Sequence, residues 1–514
     1  MRLALGGLIS LLAILPAAAQ SKFAFFEPVQ PPRNVQIMAH RGMHMLAPDN
    51  SLAAILGCAS DYVEWAEIEV HLTKDGKHVA IHGESLASCT DGKGKVADFT
   101  LEELKKLDAG SWFAPRFRGT RLSTLPEVLA AAKGKVNLYL DCKRIDPDRL
   151  VREIKATGME SQVIVYGDPN VLAKVRASGE NAVPTMTKYR AKTDLAEFVR
   201  SIDPAAVEID ADEVTAEICK AFHERGIKVQ AKVLGTKWDN PTVWGKVIDA
   251  GVDWLQTDDP AVLRFFDTRR RIGKFPVEIA LHRGANRYAP ENTLPAIREA
   301  SRLGADYAEF DIRTTRDGRH VIMHDGTVDR TTGFHSTVRA MSFADVTKLS
   351  AGAWFGKPFA DSRVPAFEDV LTALGDKTGA YLDSKDIAPE ALAAAIRKFG
   401  LYDRHVVYQS KEYCAKLLAI DPKVRPLPPL GRFDQLDAVA AIKPYGFDTK
   451  WGILSKDMIA AAHAKGVKVF SDALGLNETV EQYRKAMGWG IDVIQTDHPL
   501  RVLRAIELVS AEKR

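Results

Sequence analysis

The sequence predicts an α/β protein built from two tandem (β/α)₈ (TIM) barrels. Three observations support this fold: the length of 514 residues, an internal duplication, and the alternation of short β-rich runs with helical patterns in each copy. A single hydrophobic core stops growing at about 250–300 residues, so a chain of this length needs more than one domain. Each half has the size, roughly 240–250 residues, at which α/β barrels are common.

The duplication can be read directly from the sequence. The segment Ala39–Leu52 reads AHRGMHMLAPDNSL, and the segment Leu281–Leu294, which lies 242 positions later, reads LHRGANRYAPENTL. Near the end of each copy, LQTD at Leu255–Asp258 returns as IQTD at Ile494–Asp497. Solenoid repeats span only about 20–50 residues, so each copy should be a complete domain.

The domain boundaries follow from the repeat. We place the first domain at residues 33–268, a linker at residues 269–276 and the second domain at residues 277–509. The linker assignment rests on the segment TRRRIGKFP at Thr268–Pro276, which is basic and ends in residues that break helices.

Eight β-rich runs alternate with amphipathic stretches in the first copy, as in a (β/α)₈ barrel. We predict strands at Gln36–Ala39, Tyr62–Val70, His78–Ile81, Val136–Leu140, Val163–Tyr166, Ala206–Ile209, Lys228–Ala231 and Trp254–Gln256. Predicted helices include Leu101–Leu107, Leu125–Ala132 and Ala211–Arg225. The second copy repeats the pattern from Glu278–Leu281 to Asp492–Gln495. A doubly wound open sheet is the rival architecture, but no GxGxxG motif or P-loop follows the first strand.

The N-terminus has the pattern of an export signal. Met1-Arg2 is followed by the apolar run Leu3–Pro16 and by Ala17–Ala19, which has the small-residue form of a signal-peptidase site. The apolar run is shorter than the ~20 residues that span a bilayer, which favours a cleavable signal peptide at residues 1–19 over the alternative, an uncleaved anchor. We expect a periplasmic or secreted protein with no stable membrane span.

The composition excludes several classes of function. The formal charge is only +3, with 70 Lys+Arg against 67 Asp+Glu, so it offers no electrostatic case for a nucleic-acid partner. The five cysteines form no CxxC pair, which argues against a disulfide scaffold and a structural zinc site. The sequence leaves the oligomeric state open.

Polar residues in the second copy are concentrated where predicted strands end, which is the catalytic face of a TIM barrel. Side chains two apart on a strand share a face, so Glu309 and Asp311 point the same way, as do Asp383 and Lys385. Three converging carboxylates would repel one another unless a cation binds. Because all the ligands are oxygens, the expected ion is Mg²⁺ or Ca²⁺. The alternative is a structural ion-pair cluster of Glu309 and Asp311 with Arg283 and Lys385.

The repeat offset also sorts the histidines. Of the 13 histidines, only the pairs His40/His282, His78/His320 and His82/His324 recur at the offset. His78 and His320 begin a predicted strand and are expected at the opposite rim, facing solvent. The unpaired histidines are interpreted as surface or structural: His44, His71, His223, His335, His405, His463 and His498. Trp112 and Trp354 are interpreted as core residues or pocket walls.

An ordered set of motifs runs through the second copy: His282-Arg-Gly, PENT at Pro290–Thr293, Glu309-Phe-Asp311, TRDG at Thr315–Gly318, His324-Asp325, RTTG at Arg330–Gly333 and QTDHP at Gln495–Pro499. The set resembles the glycerophosphodiester phosphodiesterase family, and both copies share the resemblance. It implies TIM barrels of the phospholipase-C-like phosphodiesterase type, with a small insertion at about 325–350. It also implies a small-molecule substrate and a divalent metal, Ca²⁺ or Mg²⁺. The implied reaction is hydrolysis of a glycerophosphodiester to sn-glycerol 3-phosphate and an alcohol.

The resemblance assigns roles by position. His282 and His324 would be the acid–base pair, and Arg283 and Lys385 would neutralise charge on the phosphoryl oxygens. The metal ligands would be Glu309, Asp311 and Asp383. The corresponding residues of the first copy are His40, His82, Arg41 and Lys143 for catalysis and Glu67, Glu69 and Asp141 for the metal. The family usually has Glu where Asp383 and Asp141 stand.

The first copy departs from the motifs around these residues. Asp49 replaces Glu291, Glu69 replaces Asp311, Gly83 replaces Asp325, and Ser88-Cys89 replaces Arg330-Thr331. We therefore expect the second domain to be competent and the first to be slower or specific for another headgroup. Two alternatives remain: a phospholipase D- or C-like enzyme acting on lysophospholipids or sphingolipids, and a non-catalytic protein that binds phosphodiesters or wall polymers and has an inactive first domain.

Overall fold

The computed structural model describes residues 21–512, and the predicted signal peptide lies outside the described residues. The strands of the first half are β1 (Gln36–Ala39), β2 (Trp65–Leu72), β3 (His78–Ala80), β4 (Ser123–Thr124), β5 (Asn137–Cys142), β6 (Val163–Tyr166), β7 (Thr185–Lys188), β8 (Ala206–Asp210), β9 (Lys228–Lys232) and β10 (Trp254–Thr257). Eight of them run parallel in the order β1-β10-β9-β8-β7-β6-β5-β2, and β1 also pairs with β2. The first half is therefore a closed barrel, as predicted.

The second half repeats the architecture. Its strands are β11 (Glu278–Leu281), β12 (Tyr307–Thr314), β13 (His320–Ile322), β14 (Gly379–Asp383), β15 (His405–Tyr408), β16 (Pro426–Leu427), β17 (Gly446–Lys450), β18 (Lys468–Asp472) and β19 (Val493–Thr496). Eight run parallel in the order β16-β15-β14-β12-β11-β19-β18-β17. A single bridge between Pro429 and Asp448 joins the two ends, so this barrel is nearly closed.

Most of the helices cover the outside of the barrels. The helices of the first half are α1 (Leu52–Ser60), α2 (Leu101–Leu104), α3 (Leu125–Ala132), α4 (Pro147–Thr157), α5 (Pro169–Gly179), α6 (Leu195–Ile202), α7 (Ala216–His223), α8 (Pro241–Asp249) and α9 (Pro260–Ile272). In the second they are α10 (Leu294–Leu303), α11 (Asp329–Thr332), α12 (Phe343–Val346), α13 (Phe367–Ala373), α14 (Pro389–Lys398), α15 (Lys411–Ile420), α16 (Leu436–Ala440), α17 (Lys456–Ala464), α18 (Val480–Trp489) and α19 (Pro499–Glu512). Of these, α2, α11 and α12 lie in the segments that follow β3 and β13. Among residues 21–512, none of the helices is long and apolar enough to cross a membrane.

The alternation of side chains along β2 explains how one barrel combines a core with a polar mouth. Trp65, Glu67 and Glu69 lie two apart and share the face that points into the barrel. Trp65 packs at the lower end with Met38 and Tyr139 in an apolar cluster. The two carboxylates lie one and two steps further along the strand, towards its C-terminal end. Chemistry therefore concentrates at that end, as in other TIM barrels.

The predicted set of strands was wrong in one member. The run at His78–Ile81 forms β3, which pairs antiparallel with β2 and lies outside the barrel. The missing barrel strand is β7, with the sequence TMTK, which pairs with β6 and β8. Its short, polar sequence carries no apolar run, so hydrophobic patterning does not reveal it. His82 and His324 consequently follow the antiparallel strands β3 and β13 instead of a barrel strand.

The predicted helices differ mainly at their ends. The helix expected at Ala211–Arg225 begins only at Ala216, because the Thr215 hydroxyl accepts the hydrogen bond that caps it. The predicted linker at residues 269–276 is helical as far as Ile272, where α9 ends before Gly273. Within it, Arg269 stacks on Phe275 and pairs with Asp306 at 3.0 Å, so this basic stretch is packed against the second domain.

The two barrels share a buried network of charges next to the contact between α9 and α19. Arg33 donates to Glu64 at 2.6 Å and to Glu507 at 2.8 Å, and Arg264 donates to Glu64 at 2.8 Å. These four side chains are at most 5% exposed. Because Glu64 belongs to the first barrel and Glu507 to α19, the network couples the two domains through paired charges that solvent does not reach.

Candidate active site

The turn after β11 positions His282 at the mouth of the second barrel. Arg283 and Gly284 have positive φ angles of 54° and 75°, and a Cβ on Gly284 would lie 2.9 Å from the backbone of Ala296 in α10. Only glycine fits at that position, because any side chain would meet the helix backbone. The Arg283 N–H donates to a carboxylate oxygen of Glu309 at 2.6 Å. The His-Arg-Gly motif thus fixes both the histidine and the neighbouring carboxylate.

Three carboxylates meet beside this turn. Glu309 and Asp311 lie on β12, and Asp383 ends β14 directly opposite Asp311 in the strand register. Each offers an oxygen within 4.8 Å of the others. Lys385 contacts this group through Asp311 at 3.1 Å and also through Asp383. The structure therefore brings together the three predicted metal ligands and the predicted lysine of the second copy.

The electrostatics of these carboxylates fit a cation. Burial, followed by the charges of Asp311 and Asp383, raises the pKa of Glu309 well above its usual range. Burial and the charge of Asp311 raise the pKa of Asp383 to about 6. Burial would also raise the pKa of Asp311, but Lys385 and His324 lower it below its usual value. A set of buried oxygen ligands with this much mutual repulsion suits a hard divalent ion such as Mg²⁺ or Ca²⁺.

Both predicted catalytic histidines are oriented by a carboxylate. His282 Nδ1 lies 2.9 Å from Asp497, and His324 Nδ1 lies 2.7 Å from Asp325. This pairing fixes the ring and makes Nε2 the nitrogen that faces a ligand. Asp325 is held in turn by Arg330 at 2.7 Å. The two histidines thus have the support that proton transfer requires.

An ion-pair cluster surrounds the mouth of the second barrel. Arg330 pairs with both oxygens of Glu291 at 2.7 and 2.8 Å, and Arg283 donates to the same carboxylate at 2.8 Å. The predicted phosphate-binding Arg283 is therefore held in place by Glu291. The structural ion-pair alternative named Glu309 and Asp311 with Arg283 and Lys385, and Asp311 does lie 3.1 Å from Lys385 and 3.9 Å from Arg283. Two cations beside three buried carboxylates still leave a net negative charge at the site, which favours an added cation.

The first barrel repeats the turn and one histidine pair. The Arg41 N–H donates to Glu67 at 2.7 Å, and His40 Nδ1 lies 2.7 Å from Asp258. His82 lacks a close carboxylate partner, since Gly83 stands where the second copy has Asp325. The nearest acids are 3.7 and 3.9 Å from the His82 ring. The equivalent histidine is therefore held less firmly.

The carboxylates of the first barrel are arranged differently. Glu69 accepts a hydrogen bond from the Gly83 N–H at 2.9 Å and lies 3.8 Å from His71. Lys143 contacts Asp141 at 2.7 Å. Among the described residues, only Glu309, Asp311 and Asp383 form a group with metal-ligand spacing. The structure thus does not bring Glu67, Glu69 and Asp141 together as it does their counterparts.

The pKa shifts of the first barrel reflect the same difference. Burial and the charge of Asp141 raise the pKa of Glu67 to about 8. Burial would raise the pKa of Glu69 too, but the nearby His71 and the hydrogen bond from the Gly83 N–H lower it to about 2. Glu67 thus takes up a proton readily, whereas Glu69 is an ionised group already satisfied by the protein.

Other predicted residues had mixed outcomes. His78 is buried against α4, with Nδ1 2.8 Å from Glu153, so the expectation that it faces solvent was wrong. His44 lies in the cavity at the first mouth, next to His82 and Trp112, rather than on a remote surface. Trp112 is a pocket wall as expected, whereas Trp354 is 38% exposed.

Sequence reasoning gave no role to the acids that orient His40 and His282. Asp258 and Asp497 end the repeated LQTD and IQTD motifs. Recurrence at the end of the last strand was the available signal, because that strand lies beside the first in a closed barrel. Asp472, at the end of β18, was also missed, and its Oδ1 is buried without a hydrogen-bond partner among the described residues.

Comparison with known proteins gives matches along both halves of the chain. The model of the glycerophosphoryl diester phosphodiesterase family matches residues 40–262 and again residues 282–501. A glycerophosphodiester phosphodiesterase of Caldanaerobacter subterraneus is 29% identical over 240 residues, which cover 44% of this chain and 97% of that protein. The enzyme of the same name from Bacillus subtilis is 29% identical over 245 residues, covering 42% of this chain and 82% of its own length.

Solved structures include similar proteins. The glycerophosphodiester phosphodiesterase of Agrobacterium tumefaciens is 29% identical and covers 44% of this chain and 99% of its own, with a TM-score of 0.41. The matched part of each curated relative is about the length of one repeat, whereas the family model matches both repeats. The chain therefore belongs to the glycerophosphoryl diester phosphodiesterase family, whose members are phosphodiester hydrolases, and carries the family domain twice.

Proposed function

We propose that the second barrel hydrolyses glycerophosphodiesters to sn-glycerol 3-phosphate and an alcohol in a reaction that depends on a divalent cation, Ca²⁺ or Mg²⁺. The observation that carries this proposal is the group of Glu309, Asp311 and Asp383 with Lys385 at its edge. Family membership supports phosphodiester hydrolysis, and the donor set supports the metal.

At the mouth of the second barrel, one set of residues would stabilise charge and the two histidines would transfer protons. Glu309, Asp311 and Asp383 would hold the cation. Lewis-acid polarisation of a phosphoryl oxygen is the chemistry that such an ion supplies when bound. Arg283 and Lys385 are positioned to stabilise negative charge that grows on the phosphoryl oxygens, without reorganising during the reaction.

The two histidines handle the protons. One accepts a proton from the attacking oxygen, which belongs to water or to the glycerol 2-hydroxyl. Attack by the 2-hydroxyl would form a cyclic phosphate first, and water would then open that ring to give glycerol 3-phosphate. The other donates a proton to the oxygen of the leaving alcohol as the P–O bond breaks. Asp497 and Asp325 stabilise the imidazolium form of His282 and His324 during this exchange. Such proton transfer contributes typically 10²–10⁴-fold to a rate.

The first barrel is proposed to be a weaker catalyst of this reaction. Its His40, Arg41, Glu67, Asp141 and Lys143 keep the residue types that the reaction needs. Glu69 and His82 are the weak points, because Glu69 turns towards backbone and His82 lacks an orienting acid. The non-catalytic binding alternative therefore applies to this domain better than to the second.

The direct test measures release of glycerol 3-phosphate from glycerophosphocholine by the full chain. We expect activity with Ca²⁺ or Mg²⁺, its loss in EDTA and its return when metal is added back. His324→Ala should remove most of the turnover, while His82→Ala serves as the matched change in the first barrel. Indifference to EDTA would refute the metal, and full activity in His324→Ala would refute the ranking of the two barrels.

Export is a separate proposal that rests on the pattern of residues 1–19. We infer that the mature protein begins at about Gln20 and acts in the periplasm or outside the cell. Determination of the N-terminal residue by mass spectrometry after expression in a Gram-negative bacterium, with fractionation, tests this. An intact Met1 in the cytoplasmic fraction would contradict it.

A further inference from the structure

A cavity of about 510 Å³ lies between the mouth of the first barrel and the second domain. Its polar end is formed by Arg41, His44, Asp49 and His82, which are the groups closest to the chemistry of the first copy. Its other walls are apolar and come from both domains: Met45, Trp112, Phe113, Phe355, Pro358 and Phe359. The first mouth is thus a composite site that the first barrel alone would not complete.

Arg116 holds the second-domain wall in place. Its guanidinium donates to the carbonyl oxygen of Phe355 at 2.8 Å and lies 4.6 Å from the centre of the Phe355 ring. It also lies 5.0 Å from the ring of Phe117 in its own domain. A cation held between two aromatic faces and a carbonyl oxygen gives a directional contact. The segment Phe355–Phe359 is therefore held against the first barrel by specific interactions.

Gly356 shows how closely this segment approaches. A Cβ at that position would lie 2.8 Å from the carbonyl oxygen of Phe113, closer than the two atoms can come without movement. Phe355 itself is only 6% exposed. The wall is therefore part of the folded arrangement of the two domains and not a loose loop resting over the opening.

The equivalent region of the second barrel has a different chemical character. There, Arg287, Asp325 and Arg330 carry charges that pair with neighbouring groups. At the same three positions the first barrel has Met45, Gly83 and Ser88. Loss of these charges, together with the gain of aromatic walls, favours an apolar occupant, since burying a polar group without a partner is costly.

We propose that this cavity binds a glycerophosphodiester whose glycerol carries an apolar chain, with the phosphate at the end near Arg41 and His82 and the chain against the aromatic walls from both domains. This deepens the proposed function and depends on it for the placement of the phosphate. The volume lies in the range that holds ligands of this size. The proposal does not require the first site to be catalytic, because the preference for a ligand with an apolar chain is a property of binding.

The test compares two probes by isothermal titration calorimetry with the full chain. These are lauroyl lysophosphatidylcholine, kept below its micellar concentration, and glycerophosphocholine, which has the same headgroup without the chain. We expect Phe355→Ala to weaken binding of the lysolipid about tenfold, as truncation of a buried aromatic anchor does. Phe433→Ala removes an exposed phenylalanine of the same domain and should leave binding of both probes unchanged.

A second variant guards against a loss of folding. Met45→Arg restores at an exposed position the charge that the second copy has at Arg287, and it should abolish the preference for the lysolipid while the melting temperature stays unchanged. Lysolipid affinity that survives both substitutions would overturn the inference. If the wild type binds no lysolipid yet hydrolyses glycerophosphocholine, the cavity proposal fails and the proposed function stands. If the wild type binds the lysolipid but hydrolyses no glycerophosphocholine, the proposed function fails and the binding role of the cavity stands.

Discussion

Lys385 Nζ lies 3.1 Å from Asp311 in the second barrel, whereas in the first barrel the carboxylate equivalent to Asp311, Glu69, turns to the Gly83 N–H. Asp311 is also held by the Asn292 side-chain amide at 2.7 Å. The matching amide nitrogen of Asn50 is buried with no hydrogen-bond partner among the described residues. The two carboxylates differ in length by one methylene group and have different hydrogen-bond partners.

Lengthening Asp311 should therefore damage the second site. We expect Asp311→Glu to weaken binding of Ca²⁺ or Mg²⁺ by about 10–100-fold, because the longer arm breaks the contacts with Asn292 and Lys385 that orient the ligand. Calorimetric titration with each ion and the glycerophosphocholine assay measure the effect. Wild-type metal affinity in this variant would contradict the role assigned to Asp311.

The reciprocal change should improve the first site. Glu69→Asp shortens the side chain, so that its carboxylate leaves the Gly83 N–H and can accept a hydrogen bond from the side-chain amide N–H of Asn50. In a chain whose second barrel is inactivated by His324→Ala, we expect several-fold more hydrolysis of glycerophosphocholine than in His324→Ala alone. Glu84→Asp, an exposed acid two residues beyond His82, is the matched control. No gain would show that the weakness of the first barrel lies elsewhere.

The close approach at Gly284 gives a prediction about positioning. Gly284→Ala should reduce kcat about 100-fold, because a Cβ 2.9 Å from the Ala296 backbone pushes away the turn that carries His282. Gly452→Ala, where a Cβ would meet nothing within 4 Å, should leave kcat and the melting temperature unchanged. The measurement is steady-state kinetics with a thermal melt of each variant. Equal activity of the two variants would refute the steric argument.

The buried network between the domains gives a prediction about stability. Arg264→Met leaves the buried Glu64 with one of its two arginine partners and should lower the free energy of unfolding by about 3–5 kcal/mol. Urea titration followed by circular dichroism measures this. Lys106→Met, which removes an exposed pair with Glu102, should cause no measurable change. A similar stability for both variants would show that the network contributes little.

The same network predicts a dependence on acid. Burial would raise the pKa of Glu507, but Arg33, Arg264 and Arg271 lower it below its usual value of 4.5. A depressed pKa in the folded state gives stability that is fully present above pH 4.5 and is lost as the pH falls towards the folded pKa. We expect the melting temperature of the wild type to fall more between pH 6 and pH 3.5 than that of Glu507→Gln. If the melting temperatures of the two proteins fall equally with pH, ionised Glu507 does not contribute this stability.

Much of the fold and of the second site could be predicted because the relevant signals are local or repeated. The offset between His40 and His282 reveals two domains, and the two-residue spacing of Glu309 and Asp311 places both on one face. Strand β7 was not predicted because Thr185–Lys188 carries no apolar pattern, although the first three of its side chains are buried. The run at His78 was wrongly predicted as a barrel strand, because an antiparallel strand outside the barrel has the same apolar pattern as a strand within it.

The differences between the two sites were harder to predict. That Glu69 differs from Asp311 is visible in the sequence, but where the longer side chain goes depends on the Gly83 backbone. The wall that Phe355 supplies to the first mouth arises from contact between the copies, and a repeat contains no signal for how its units pack. The buried pair of Arg33 and Glu507 joins residues 474 positions apart, beyond the reach of periodicity.

That last contact has a consequence for the order of the chain. Arg33 precedes the first barrel strand and Glu507 lies in the final helix, so the entry to the first barrel and the final helix lie side by side. Arg271, two residues before Gly273, contacts the same Glu507 at 2.7 Å. A circular permutant that opens at Gly273 and joins residue 512 to residue 21 through a flexible connector would place the second barrel first. We therefore expect the two barrels to pack in the same arrangement whichever of them comes first along the polypeptide.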